Sequence, residues 1–231
     1  VDTILKLEKA SGIHFMISTG CYKDPFIPEA MNRMTADELA DFMIKEIMEG
    51  IDGSTVKADA IGEIGTSKNE WTANERNLFE AALIAHKETH KPIYTHTTLA
   101  TLAKDQALYL VDHGADPNKV VIGHVDLSGD LDMIRSVIAC GVTVGFDTIG
   151  KNNYLPDEKR IEFLLALEKD GLLNQVVLSE DLTRKSHLKY KGGIGYCYLF
   201  ESFIPKLLEA GLSKASLDQM LIHNPQRIFG E

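Results

Sequence analysis

The sequence predicts an α/β fold, a (β/α)8 TIM barrel in which parallel strands are covered by helices. Short apolar runs typical of buried strands alternate with helical segments along the 231 residues. Four of these runs end in a side chain that can bind a metal ion, namely Glu63, His96, His124 and Asp181. Successive positions are 33, 28 and 57 residues apart, and a barrel spends about 31 residues on each strand–helix unit. The gaps therefore correspond to one, one and two units, which predicts that the four side chains meet at one barrel mouth.

Six strands and eight helices are predicted within a single domain of residues 1–231. The strands are expected at 13–18, 58–64, 93–95, 120–122, 143–146 and 176–178. The helices are expected at 1–10, 36–49, 73–90, 99–113, 131–140, 157–169, 200–210 and 217–222. A closed barrel needs eight strands, and this chain opens with a helix. We therefore expect strands 3 to 8 only, with an open, doubly wound sheet of six strands as the alternative.

The composition restricts the classes of partner. The net charge is −10, and no block of Lys or Arg stands out, which argues against binding to nucleic acid or to an anionic membrane. No apolar run approaches the roughly 20 residues that span a bilayer. The three cysteines are far apart and form no CxxC motif, so we expect a reducing, cytoplasmic environment.

The four strand-end residues suit a divalent cation. Zinc accepts imidazole nitrogen and carboxylate oxygen, and a carboxylate can bridge two ions through its two oxygens. A bound metal lowers the pKa of its water from about 15.7 toward about 7. Each residue also has a structural alternative: a strand-end histidine can be a hydrogen-bonded structural residue, Glu63 can pair with a lysine, and Asp181 can cap a turn.

Several segments together resemble the phosphotriesterase-related group of the amidohydrolase superfamily. They are Ser18-Thr19-Gly20-Cys21-Tyr22, Gly62-Glu63-Ile64-Gly65-Thr66-Ser67, Thr95-His96-Thr97, Gly123-His124-Val125-Asp126, Phe146-Asp147-Thr148-Ile149-Gly150-Lys151 and the stretch 178–187. The resemblance implies the barrel of metal-dependent hydrolases with two divalent ions, zinc first, and manganese, cobalt or iron as alternatives. It implies that Glu63 bridges the ions, that His96 and His124 are ligands, and that Asp181 is both a ligand and the catalytic proton acceptor.

Two features depart from that family pattern. Many relatives bridge their metals with a carboxylated lysine, whereas Glu63 provides the carboxylate directly, as in one known subgroup. The family also places a His-x-His pair on its first strand, and this sequence contains none. If the first strand is truly absent, we expect one metal instead of two, and the second ion would lack two ligands.

Cationic side chains predict a phosphorylated substrate. Barrels often bind phosphate with the loops after strands 7 and 8, which here contain Lys151, Arg184 and Lys185. We expect Arg227 to reach the same side through the C-terminal helix, with solvated surface charges as the alternative for all four. Tyr22 resembles the tyrosine that lines the lactone pocket of related lactonases, and its alternative is a loop aromatic packed on the rim.

The sequence therefore predicts a hydrolase of ester bonds that opens a small sugar lactone, with or without a phosphate. A phosphotriester or carboxylester hydrolase with a more apolar pocket is the alternative within the same chemistry. A truncated, non-catalytic barrel that serves as a binding or assembly module is the alternative of another class. An incomplete barrel would expose two sheet edges and apolar faces, so we also expect either poor solubility or an oligomer that covers the gap, in the simplest case a homodimer.

Overall fold

The computed structural model describes residues 1–230, which form a parallel sheet with helices packed against it. Each strand pairs with the next strand along the chain, so the sheet order is β1-β2-β3-β4-β5-β6. Doubly wound sheets reverse their strand order part-way, and this sheet does not. The α/β prediction is confirmed, and the sequential parallel order is that of six consecutive strands of a barrel. The strands are β1 (Ser18–Thr19), β2 (Ala60–Thr66), β3 (Ile93–Thr97), β4 (Val120–Ile122), β5 (Thr143–Phe146) and β6 (Val176–Leu178).

The first strand is shorter than the range 13–18 that the sequence predicts. Ser18 pairs with Ala60, the first residue of β2, so the partner strand begins only there. Just before this pair, the backbone N–H of Ile17 donates to the carboxylate of Asp59 at 3.0 Å instead of to a strand carbonyl. Ile13 is 60% exposed. Because β1 is an edge strand and pairs only with β2, its backbone hydrogen bonds can extend only as far as β2 does.

Ten α-helices lie within residues 1–230, and none of these is long and apolar enough to cross a membrane. Capping boxes begin two of them: the hydroxyls of Thr35 and Thr72 accept the N–H of Glu38 and Glu75, whose side chains bond back. The helices are α1 (Asp2–Ser11), α2 (Glu29–Asn32), α3 (Ala36–Met48), α4 (Ala73–Thr89), α5 (Ala103–Asp112), α6 (Leu131–Ile138), α7 (Asp157–Lys169), α8 (Ile204–Glu209), α9 (Lys214–Asp218) and α10 (Asn224–Phe229).

Two stretches of helix differ from the prediction. The helix expected at 99–113 begins only at Ala103, because Leu99 and Leu102 have φ of 54° and 61°, in the left-handed region. Near the C-terminus, the expected helices include π-helical turns at Leu199–Phe203 and Gln219–His223. Helix α10 follows the second of these turns directly, at residues beyond the predicted helices.

Strands β2 to β6 have no exposed residue on either face, as expected for a parallel sheet, whereas Ser18 of β1 is exposed. One face packs against the helices, and the large core includes Val120, Ile122 and Val144. On the inner face, a small cluster joins Val121 and Val177 to Ile228 of α10. Helix α10 therefore covers the amino-terminal ends of the strands, and the carboxyl ends remain open for a site.

Candidate active site

Three of the predicted metal ligands lie together at the carboxyl end of the sheet. Glu63 lies in β2, His96 lies in β3, and His124 follows β4, with one ligand atom of each within 4.8 Å of the others. Oε1 of Glu63 is 3.2 Å from Nε2 of His124, and the same nitrogen of His124 is 2.8 Å from Nδ1 of His96. Two imidazoles and a carboxylate fit a divalent cation such as zinc. Among residues 1–230 this is the one such cluster of three or more.

The turn after β4 presents His124 to this cluster. Its backbone has φ of 58°, in the left-handed region. The preceding Gly123 donates its N–H to the carbonyl of Thr95 at 3.0 Å, and the hydroxyl of Thr97 donates to its carbonyl at 2.7 Å. A Cβ on Gly123 would lie 2.2 Å from the carbonyl oxygen of Thr95. Glycine is therefore required for the close approach of β3 that fixes the position of His124.

The structure places Asp147, to which sequence reasoning gave no role, in contact with this cluster. Asp147 follows β5 and is buried. Its Oδ1 lies 2.7 Å from Nδ1 of His124, and its carboxylate also accepts the backbone N–H of that residue at 2.9 Å. This contact keeps the proton on Nδ1 and directs Nε2 toward Glu63, as metal-binding histidines require. The position of Asp147, directly after a predicted strand, is the signal that could have identified it.

The electrostatics of the cluster differ between the two imidazoles. Burial, with help from His124 and Lys23, lowers the pKa of His96 to about 3. Burial also opposes charge on His124, but Asp147 and Glu63 outweigh it and raise its pKa to about 11. Burial raises the pKa of Glu63 as well. His96 is thus a neutral ligand already, whereas a metal must displace a proton from His124.

Tyr22 contacts this cluster from the loop after β1. Its hydroxyl is 3.0 Å from Nε2 of His96, and the two rings pack edge to face with centroids 4.6 Å apart. The tyrosine therefore contacts the cluster and also lines the cavity next to it. Its role in substrate binding remains a prediction.

The cluster opens into a cavity of about 620 Å³. Asp181 lines this cavity, and its carboxylate forms an ion pair with the ammonium group of Lys151. The carboxylate of Asp181 lies outside the group of three clustered ligands. Its expected roles as ligand and proton acceptor therefore remain predictions. Arg184 also lines the cavity, together with Lys23 and His187, for which the sequence indicated no role.

Two of the predicted substrate-binding residues lie elsewhere. Lys185 is exposed and is outside the residues that line the cavity. Arg227 lies at the opposite end of the sheet, where its guanidinium donates to the carbonyls of Asn118 and Asn174 and to the hydroxyl of Thr143. These three residues precede or begin strands β4 to β6, because α10 packs beneath the sheet. The expected placement of Arg227 beside the cavity is corrected accordingly.

A family model described as "Phosphotriesterase family" matches residues 1–229. The chain belongs to the phosphotriesterase family. It is 48% identical over 226 residues to the phosphotriesterase homology protein of Escherichia coli K12, an alignment that covers 98% of this chain and 77% of the relative. The crystal structure of that E. coli protein, complexed with phosphate in its active site, matches with a TM-score of 0.96 and 47% identity, over 99% of this chain and 79% of that one.

Two more distant relatives carry names of different activities. An aryldialkylphosphatase of Saccharolobus solfataricus is 32% identical over 97% of this chain and 74% of its own length. A crystal structure of a lactonase from Listeria monocytogenes matches with a TM-score of 0.91 and 28% identity, over 98% of this chain and 76% of that one. The predicted resemblance, the barrel arrangement and the ester-acting hydrolase are confirmed at the level of the family. Members of this family are metal-dependent, in agreement with the clustered Glu63, His96 and His124.

Proposed function

We propose that this phosphotriesterase-family hydrolase is a lactonase that opens a small, phosphorylated sugar lactone. One observation carries the proposal: the metal-binding cluster and a set of cationic side chains face the same cavity. Glu63, His96 and His124 line this cavity, and so do Lys151 and Arg184, which we call its cationic wall. A carbonyl at the cluster and a phosphate at the wall can therefore belong to one molecule.

The cluster would hold the cation, and the other cavity residues would handle protons and substrate. When bound, a divalent metal lowers the pKa of water and polarises a carbonyl oxygen. We assign to Asp181 the proton of the attacking water, whose oxygen bonds to the carbonyl carbon. The ring C–O bond then breaks, and Asp181 returns the proton to the departing alkoxide. Tyr22, with its hydroxyl 3.0 Å from His96, borders the lactone ring.

The phosphate would be held by the cations of the wall. Arg184 offers a planar fork that can donate two hydrogen bonds to one phosphate, whereas Lys151 is a compact point charge. Lys151 is already paired with Asp181, so it links the phosphate site to the proposed proton acceptor. Lys23 adds a third cation next to Tyr22, with its ammonium 5.6 Å from that ring centroid.

A panel of matched lactones tests the proposal. Turnover of five-membered sugar lactones is measured with and without a phosphate on C5, for the unmodified protein and for Arg184→Ala. We expect kcat/KM to be higher for the phosphorylated lactones, and Arg184→Ala to reduce that preference by about ten- to a hundredfold, since a charge-assisted hydrogen bond contributes about 1.5–3 kcal/mol. Lys185→Ala is the matched control, because that side chain is outside the cavity. Equal rates on both lactone sets would remove the phosphate site.

The same panel distinguishes the alternative chemistry. The name of the aryldialkylphosphatase relative favours a neutral phosphotriester as the second candidate, and the panel therefore includes one phosphotriester and one simple carboxylester. Faster turnover of either would replace the lactonase proposal.

Metal content tests the alternative of a non-catalytic barrel. We propose that zinc is bound, with manganese, cobalt or iron as substitutes. One ion per chain is expected if Glu63, His96 and His124 act alone, and two ions if a second set of ligands is completed. Elemental analysis of the purified protein distinguishes these outcomes, and absence of metal with no turnover would favour a binding module. We also propose that the protein is cytoplasmic and forms a homodimer. Light scattering of the full chain would test the homodimer.

A further inference from the structure

Tyr94 connects the inner face of the sheet to the metal-binding cluster. It lies in β3, two residues before His96, and packs against the inner cluster that contains Val121 and Val177. Its hydroxyl donates to Oδ2 of Asp147 at 2.8 Å. The side chain therefore reaches from β3 past β4 to the residue that follows β5.

Two glycines, one directly after β4 and one within β5, leave room for this reach. A Cβ on Gly123 would lie 3.2 Å from Cε1 of Tyr94 and 3.1 Å from Oδ2 of Asp147. A Cβ on Gly145 would lie 2.8 Å from the hydroxyl of Tyr94 and 2.5 Å from the same carboxylate oxygen. Any larger residue at either position would displace the tyrosine or the aspartate. The space is thus shaped around the hydrogen-bonded pair.

The Asp147 carboxylate is held from two sides. Oδ2 accepts the hydroxyl of Tyr94, while Oδ1 lies 2.7 Å from Nδ1 of His124. Without the tyrosine hydroxyl, the carboxylate could rotate about its terminal bond, since only contacts to His124 would then fix it. Rotation would release Nδ1, and with it the orientation of the ring whose Nε2 faces Glu63.

We propose that Tyr94 is a positioning residue of the metal site. By fixing Asp147, it keeps His124 in the tautomer and ring orientation that bind the cation. The inference rests on the metal-binding part of the proposed function and not on the identity of the substrate. Partners of metal-binding histidines typically change metal affinity ten- to a hundredfold when they are removed. Tyr94 acts one residue further out, so we expect the lower end of that range.

The test measures metal affinity directly. Zinc and cobalt are titrated into metal-free full-length protein in competition with a chromophoric chelator, for the unmodified chain, Tyr94→Phe and Asp147→Asn. We expect Tyr94→Phe to weaken the affinity about tenfold and Asp147→Asn to weaken it further. Tyr109→Phe is the matched control, because Tyr109 packs against Trp71 and Phe79 in the helix layer. Its metal affinity should equal that of the unmodified protein.

A further variant perturbs the same hydrogen-bonded pair without removing the tyrosine hydroxyl. Gly145→Ala keeps the tyrosine but crowds the hydrogen-bonded pair, so it should also weaken metal binding. Circular dichroism and thermal unfolding of the metal-free proteins establish that each variant is folded. Equal metal affinities for Tyr94→Phe and Tyr109→Phe would overturn the inference and leave the proposed function intact. Absence of metal binding by the unmodified chain would overturn both.

Discussion

Replacing the buried Arg160 by leucine should strongly destabilise the protein. This guanidinium is fully buried and donates to Asp126 at 2.6 Å, to Asp157 at 2.9 Å and to the hydroxyl of Thr148 at 2.7 Å. Its removal leaves two buried carboxylates without their counterion. Breaking a buried ion pair from one side costs about 3–5 kcal/mol. For a chain of 150–250 residues, each kcal/mol shifts Tm by about 2–4 °C, so we expect a fall of roughly 6–20 °C.

Arg135→Leu provides the matched control for this experiment. Arg135 also contacts two aspartates, Asp132 at 2.9 Å and Asp170 at 2.6 Å, but its side chain is 38% exposed. Each exposed pair contributes about 0–1 kcal/mol, so loss of the two pairs should lower Tm by at most about 8 °C. Urea unfolding followed by circular dichroism gives the free energy of unfolding for both variants. Equal losses would refute the reasoning, because burial would then not determine the cost.

Three further predictions concern pH, packing and the metal. Burial lowers the pKa of His86 below its usual 6.5; its neutral ring accepts the N–H of Asp116 and donates to the carbonyl of Lys91. The imidazole of His86 binds a proton more readily in the unfolded chain, so the free energy of unfolding should fall as the pH drops through about 6.5. His86→Gln should reduce the slope of the free energy of unfolding against pH. An unchanged slope would contradict this explanation. Gly123→Ala places its Cβ 2.2 Å from a backbone oxygen and should lower Tm more than Gly171→Ala, which has no neighbour within 4 Å and carries only the cost of its left-handed φ of 72°. Differential scanning fluorimetry compares the two variants, and equal shifts in Tm would rule out the clash. Removal of the metal by a chelator should abolish lactone turnover, and zinc should restore it; full activity in the metal-free protein would contradict the proposed chemistry.

The metal-binding cluster could be predicted because its signal lies in the chain itself. Glu63, His96 and His124 each end a run of apolar residues, and their separations match one strand–helix unit. Parallel strands bring their carboxyl ends to one edge, so spacing alone indicates that the side chains meet. The separation of these residues along the chain was sufficient to predict that they meet, because strands and helices have fixed rises per residue.

Residues whose role depends on a side-chain contact could not be predicted in this way. Asp147 acts through its hydrogen bond to His124, and Lys151 is paired with Asp181; neither contact follows from spacing. The position of Arg227 depends on where α10 packs after two π-helical turns, which periodicity does not reveal. Loop and terminal geometry is set by tertiary packing, whereas strand ends are set by local pattern.

The site is divided between two kinds of backbone. Glu63 and His96 lie in strands, and His124 lies in a turn that is hydrogen-bonded to the neighbouring strand β3. Lys151 and Arg184, in contrast, lie in the loops that follow β5 and β6. Exchanging the loop that contains Arg184 should therefore alter the substrate preference while Glu63, His96 and His124 stay in place. A directed-evolution library confined to residues 182–191, none of which is buried, would vary the substrate site without changing the Thr148–Arg160 hydrogen bond.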